Sequence, residues 1–490
     1  MGKRSSLVDY YWESLERLDY QPRNGIEQSL RYLEDGKSVI LTAPTAYGKT
    51  TVTKVLALAA ERGNERFDRV IHVLPLRSIV QDLYLDLQCA AKKLGIYPAH
   101  IAAQDMDFSD SPFFMKKVNV TTLDTFIMNL FKLPVAELRS ALAGGGSHYE
   151  VPRGFIYSSI VLFDEFHLFP EEGGGKALAS CFAAMRSLKD MGVPMLIMTA
   201  TLPSTLRDAL KKVLSPGVEE VSASDFRPNR KINVKFVESP YDVPKGQKVL
   251  VVFNTRTEAI QAYDKIKSKG DHNPILIHSK FNRVDRMQKI SEMDSHDVVI
   301  STQVIEAGIN KSFDMLITEA APPSSLIQRA GRVKRKGGEG EVWIFPFRGK
   351  VYERELVKRT TESIEKTGTI ADDLIKLDDR NVSVDVQLQN VLEQIDDSVF
   401  INSPHWLLER VCALTRDTSL VLGFPPGCTS ADCAVPLSED EARRQKKVLQ
   451  NGKEAEMPNF RGGCLSFDFL RQGIDGVMIS GYDSEKGAVI

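Results

Sequence analysis

Between residues 38 and 347 the chain alternates short β-branched runs with longer amphipathic stretches, and no other feature narrows its fold as much. Short apolar runs separated by enough chain for a crossover helix are what a parallel sheet requires. The expected class is therefore α/β. A first set of strands is read at residues 38–41, 69–74, 119–122, 159–163 and 194–198. A second is read at 248–253, 274–278, 297–301, 314–318 and 341–345. The polar, proline-containing stretch 222–231 separates the two sets and marks a linker. This gives a first domain over 1–230 and a second over 231–348. An accessory domain follows over 349–490, where the alternation stops. Its end, 476–490, reads as a hairpin, because residues 483–487 separate two short apolar runs.

Charge and cysteine usage restrict the function classes. Sixty-three Lys and Arg against 65 Asp and Glu give a formal charge of −2. No chain-wide basic field advertises nucleic acid, so any such contact has to use a local groove. No apolar run approaches the ~18 residues of a membrane helix. The first residues lack the apolar core of a signal peptide. No membrane partner and a cytoplasmic location are expected. The six cysteines are dispersed without a CxxC pair, which reads as reduced thiols. Cys428 and Cys433 are the only near neighbours and lack further ligands at zinc spacing, so no structural metal is expected.

The chemistry starts at Pro44-Thr45-Ala46-Tyr47-Gly48-Lys49-Thr50, with Thr51 opening the next apolar stretch. The segment joins a strand to a helix, the setting of a phosphate-binding loop. There, backbone N–H groups cradle phosphate, Lys49 neutralises the β and γ groups of ATP, and the Thr50 hydroxyl binds Mg²⁺. Taken alone, an ordinary strand-to-helix turn explains it too. Downstream, Val161-Leu162-Phe163 runs into Asp164-Glu165-Phe166-His167. Asp164 can hold the magnesium while Glu165 polarises the water that attacks the γ-phosphate. The two signals together point to ATP hydrolysis.

Further marks follow in order: Thr199-Ala200-Thr201, then 299–303 with Gly308, then Gln328-Arg329-Ala330-Gly331-Arg332. The series over about 20–347 resembles superfamily 2 helicases and translocases of the DExH type. That resemblance implies two tandem RecA-like parallel-sheet domains that clamp ATP, followed here by the C-terminal accessory domain. Arg329 and Arg332, three residues apart, are expected on one helical face as arginine fingers aimed at phosphate, with Gln328 positioning water. Tyr20, Arg23 and Gln28 resemble an adenine-recognition element, Tyr20 stacking on the base and Gln28 reading its edge. Ala46 stands where the family's loops usually carry glycine, and Asn310 where many relatives have Asp.

Three phrases are most similar to the helicase part of the helicase-nuclease of type I CRISPR interference: residues 122–126, the box 164–167, and 325–335. The stretch before Lys49 is too short for the histidine-aspartate (HD) nuclease domain that precedes many such helicases. The chain therefore resembles the stand-alone helicase subunit, whose separate HD nuclease and surveillance complex are the implied partners. The implied activity is 3′-to-5′ unwinding of target DNA on the non-target single strand of the R-loop. Single-stranded DNA is expected across the tops of both sheets. The first domain would offer Arg77, Thr121 and Thr122, and the second Asn254, Thr255, Arg256, Ser279, Lys280 and Thr302, mostly as phosphate contacts. For each of these singly, a helix cap or surface polar group is the competing reading. A general repair or restriction translocase, and an ATP-gated DNA-binding scaffold that recruits a nuclease without unwinding, remain the alternatives.

Overall fold

The computed structural model describes residues 5–105, 110–137, 148–169, 175–223, 225–226, 229–306, 311–335, 337–349, 351–378, 384–397, 421–460 and 465–490. The chain forms two compact units, Met1–Arg227 with Arg380–Asp417, and Pro228–Asp379 with Thr418–Ile490.

The sheet of the first unit contains β1 (Ser38–Thr42), β2 (Arg69–Leu74), β3 (Ile101–Gln104), β4 (Val118–Thr122), β5 (Ser159–Phe163), β6 (Met195–Thr199) and β7 (Val218–Ser222). Its order is β3-β4-β2-β5-β6-β1-β7, every pair parallel. The inner strands β5 and β6 are buried at every position, which is why they read as unbroken apolar runs. Only β6 separates β1 from β5, so at ~4.8 Å per strand the loops leaving them start about 10 Å apart. That adjacency brings the phosphate loop and the acidic pair to one edge.

The second unit carries β8 (Arg230–Phe236), β9 (Val249–Val252), β10 (Pro274–Ile277), β11 (Val298–Ser301), β12 (Met315–Glu319) and β13 (Gly338–Phe345). They form a second all-parallel sheet, ordered β10-β11-β9-β12-β13-β8. Alternation along β9 sends Leu250 and Val252 into one core and Val249 and Val251 into the other. The α/β class and the two parallel sheets are those expected from sequence.

The expected single accessory domain is corrected, because its residues are divided between the units. The helix Val386–Asp397 buries Leu388, Leu392 and Ile395, and Arg186 and Arg153 of the first unit bind its Glu393 and Asp396 at 2.7 Å. The remainder belongs to the second unit. There β14 (Val421–Phe424), β15 (Val435–Leu437), β16 (Lys447–Gln450), β17 (Lys453–Glu456) and β18 (Ile474–Met478) make a mixed sheet. The expected hairpin is present as β19 (Gly481–Asp483) and β20 (Gly487–Val489). Reduced thiols are also corrected for one pair. A short turn at Ala431–Cys433 brings the Cα atoms of Cys428 and Cys433 to 6.0 Å, and the two are bonded. Cys89 is an exposed free thiol and Cys181 is buried; Cys412 and Cys464 lie outside the described residues.

Candidate nucleotide and nucleic-acid sites

The loop after β1 turns through two left-handed residues, Ala46 at φ 65° and Gly48 at φ 92°. Gly48 takes this conformation without cost, whereas the Cβ of Ala46 is strained there by ~1 kcal/mol. Thr51 N–H donates to the Gly48 carbonyl at 2.9 Å and Val52 N–H to the Lys49 carbonyl at 3.1 Å, starting the helix Thr50–Glu61 directly at the loop. Lys49 is buried, its ammonium 3.5 Å from the Ala43 carbonyl. Pro44, Thr45, Ala46 and Thr50 are half-buried, Gly48 is exposed and Thr51 is buried. The Tyr47 hydroxyl donates to Asp225 at 2.6 Å and accepts the Gly25 N–H at 2.9 Å, locking the loop to the start of the helix Asn24–Glu34.

Asp164 follows β5 and its side chain is buried. Its Oδ1 accepts the Glu165 N–H at 2.7 Å, and its Oδ2 lies 3.5 Å from His72 Nε2. Burial alone would push the Asp164 carboxyl up, but His72, Lys49 and the Glu165 N–H together hold it below the usual carboxylate range. Glu165 sits at φ 49°, a left-handed backbone that swings it away from the strand direction. Its neighbour His167 is buried and its Nδ1 stands 2.9 Å from the Thr199 hydroxyl. Thr199 donates to the Thr201 carbonyl at 2.6 Å, so it accepts from His167. Thr50 and Asp164 thus supply a hydroxyl and an ionised carboxylate, hard oxygen donors that suit Mg²⁺ completed by water and phosphate oxygens.

Tyr20 and Gln28 stand apart from that loop chemistry. Tyr20 is 39% exposed, and its hydroxyl accepts from the buried Lys54 ammonium at 3.0 Å. Gln28 is exposed and donates to the Tyr32 hydroxyl at 3.2 Å. Arg23 lies 3.9 Å above the Phe226 ring, a stacked pair that sequence spacing did not reveal.

In the second unit the arginine expectation needs correction. The helix Pro323–Ala330 ends before Arg332, so Arg329 and Arg332 do not share a helical face. Arg329 is wholly buried. Its guanidinium donates to Glu306 at 2.7 Å, Thr318 at 2.9 Å, Asn254 at 2.9 Å and the Glu319 carbonyl at 3.2 Å. A buried guanidinium needs such partners, and these consume it within its own unit. Arg332 is half-buried and donates to the Glu306 carbonyl, while Gln328 is buried. Gly308 and Asn310 lie outside the described residues.

The expected nucleic-acid contacts fall into four groups. Thr121 and Asn254 are buried, Thr121 donating to the Gln104 carbonyl at 2.5 Å and Asn254 to the Ala320 carbonyl at 3.0 Å, so their side chains are corrected to interior roles. Thr122 and Thr255 cap the helices Leu123–Leu130 and Arg256–Lys269, and the buried Thr302 precedes a short turn. Lys280 binds the Pro436 carbonyl at 2.9 Å as well as Glu441, and Arg256 donates to the Ala488 carbonyl at 3.2 Å. The C-terminal segment therefore covers both cations, a contact that spacing along a chain cannot show. Ser279 is exposed and Arg77 half-buried.

Two family models match this arrangement. Residues 25–209 match the DEAD/DEAH box helicase family, and residues 245–338 match the C-terminal family of the CRISPR-associated nuclease/helicase Cas3. In these two stretches the chain is similar to superfamily 2 helicases of the Cas3 type. A CRISPR-associated helicase Cas3 of Thermoproteus tenax is 28% identical over 346 residues, 67% of this chain and 59% of the relative. A nuclease/helicase Cas3 of Methanocaldococcus jannaschii is 25% identical over 401 residues, 71% of this chain and 52% of the relative. The chain thus spans between half and three-fifths of the length of these two curated relatives. The fold is shared with T. fusca Cas3–ADP at a TM-score of 0.66 and 17% identity, covering 100% of this chain and 72% of that one. Among the described residues no helix is long and apolar enough to cross a membrane.

Proposed function

We propose that the chain is an ATP-dependent, single-stranded-DNA translocase and helicase of type I CRISPR interference, moving 3′ to 5′ on the displaced strand. The observation that carries this is the buried Asp164 carboxyl at the same sheet edge as Lys49, 3.5 Å from His72. Pro44 to Thr51 cradle the triphosphate, Thr50 and Asp164 hold Mg²⁺, and Glu165 polarises the attacking water. Magnesium bound there neutralises charge on the phosphates. Tyr20 and Gln28 contact the base. Gln328, Arg332 and Gly308 complete the proposed nucleotide chemistry, as the family resemblance implies. Arg77, Thr255 and Ser279 touch the DNA backbone without reading bases, and the buried Thr122 and Thr302 hold the loops around them.

The chain works in the cytoplasm beside a surveillance complex, and an HD nuclease on a separate polypeptide cuts the strand. The Thermoproteus relative is named a helicase, whereas the Methanocaldococcus one is named a nuclease/helicase. The deciding experiment is ATP hydrolysis with and without single-stranded DNA, for the parent and Lys49→Ala. Stimulation by DNA that vanishes in the variant supports the proposal. Hydrolysis at the parental rate in the variant rejects it.

A further inference from the structure

His72 occupies the middle of β2, where every neighbouring position is apolar: Val70, Ile71, Val73 and Leu74. The strand is buried, so an imidazole there is costly unless its nitrogens are used. One is. Nδ1 lies 2.8 Å from the Thr53 hydroxyl, on the helix that Thr50 opens. The other, Nε2, has no hydrogen-bond partner among the described residues and stands 3.5 Å from Asp164 Oδ2.

An ionised carboxylate only accepts, so Nε2 carries the proton and Nδ1 accepts from Thr53. The register explains the meeting: β2 pairs with β5, and Asp164 N–H donates to the Val73 carbonyl at 3.0 Å, one residue past His72. Oδ1 is already fixed by the Glu165 N–H at 2.7 Å. Resting on the nucleotide reading above, we infer that His72 is a positioning residue, fixing Oδ2 so that Asp164 meets the magnesium-nucleotide in one orientation. The Thr53–His72–Asp164 chain then ties the helix bearing Thr50 to the carboxylate, so that hydroxyl and carboxylate move as one donor set. Outer partners that orient metal ligands act in this way.

The test titrates MgCl₂ against the full chain holding a fluorescent ADP analogue, with analogue binding in EDTA and thermal melting as controls. His72→Leu is expected to raise the magnesium concentration at half-saturation about tenfold, with binding in EDTA and melting at parental values. His72→Gln, which keeps an N–H near Nε2, should return most of that loss. Thr53→Val should shift it in the same direction and less. Parental magnesium dependence in a folded His72→Leu overturns the inference, as does an equal loss of binding in EDTA. Should His72→Leu fail to fold, parental magnesium dependence in Thr53→Val overturns it instead. A parent chain that binds no nucleotide, or an Asp164→Ala variant with unchanged magnesium dependence, defeats the nucleotide reading itself and is distinguishable from these results.

Discussion

The two parallel sheets end in very different surroundings. After β1, β5 and β6, the polar residues of the first unit lie near one another: Lys49 at its loop, Asp164 3.5 Å from His72, His167 on Thr199. After β9, β10 and β12, those of the second unit are taken up by other parts of the protein. Asn254 and Glu319 join the Arg329 network, while Lys280 and Arg256 bind the C-terminal segment. Both arrangements satisfy the same rule, that buried polar groups need partners. What differs is whether the partners leave reactive groups together or enclose them. A motif residue therefore marks the carboxyl end of a strand, and the cover over that end determines how much of it remains for a ligand.

The largest effect that sharpens this contrast is in the first unit. Asp164→Ala should reduce DNA-stimulated ATP hydrolysis by roughly 10³-fold, with the melting temperature near the parental value. In the second unit the reverse pattern is expected. Arg329→Ala strands Glu306 as a buried, unpaired charge and should cost ~3–5 kcal/mol in urea unfolding. A variant of parental stability that loses only hydrolysis would break the contrast, because it would put Arg329 at phosphate.

A smaller effect concerns the cover on the second sheet. His278 stacks on Phe281 at 4.5 Å, accepts the Lys280 N–H at 3.1 Å through Nδ1, and contacts the Lys486 carbonyl at 3.0 Å through Nε2. Burial, with the cations of Arg256, Lys289 and Lys280 around it, pushes its pKa down to about 3, despite the Lys486 carbonyl. The unfolded chain, titrating near ~6.5, binds the extra proton first. Stability is therefore full above that pH and lost as pH falls toward 3, by up to ~1.4 kcal/mol per unit. Urea midpoints between pH 7 and 4.5 should fall less steeply in His278→Gln than in the parent; identical slopes would remove His278 from the cover. The smallest effect is at the phosphate loop. Ala46→Gly relieves ~1 kcal/mol of left-handed strain and should tighten nucleotide binding by up to about fivefold.

The legible parts of the fold were its inner strands, whose unbroken apolar runs follow from burial on both faces. Within the two parallel sheets, the strands absent from the sequence reading, β3, β7 and β8, are all at sheet edges. β7 and β8 are partly exposed and carry charge, as in Arg230-Lys231-Ile232-Asn233-Val234-Lys235-Phe236, whose start falls in the stretch read as linker, whereas β3 is buried but only four residues long. At the nucleotide site the loop and the acidic pair were legible because their chemistry is contiguous in the chain. His72, Thr53, Asp225 and Glu306 were not, since each acts on a residue far away in sequence, and only strand register or tertiary packing brings the pair together. Arg329 shows the converse: its spacing to Arg332 suggested a shared helical face, and the helix stops at Ala330.

In the proposed function, hydrolysis at Lys49 and Asp164 drives movement along a DNA strand. Displacement of a labelled strand from a 3′-tailed duplex, followed with ATP and with AMPPNP, tests it most directly. Displacement is expected with ATP alone, and none in Asp164→Ala. Equal displacement with AMPPNP, or brisk DNA-stimulated hydrolysis without any displacement, would contradict it.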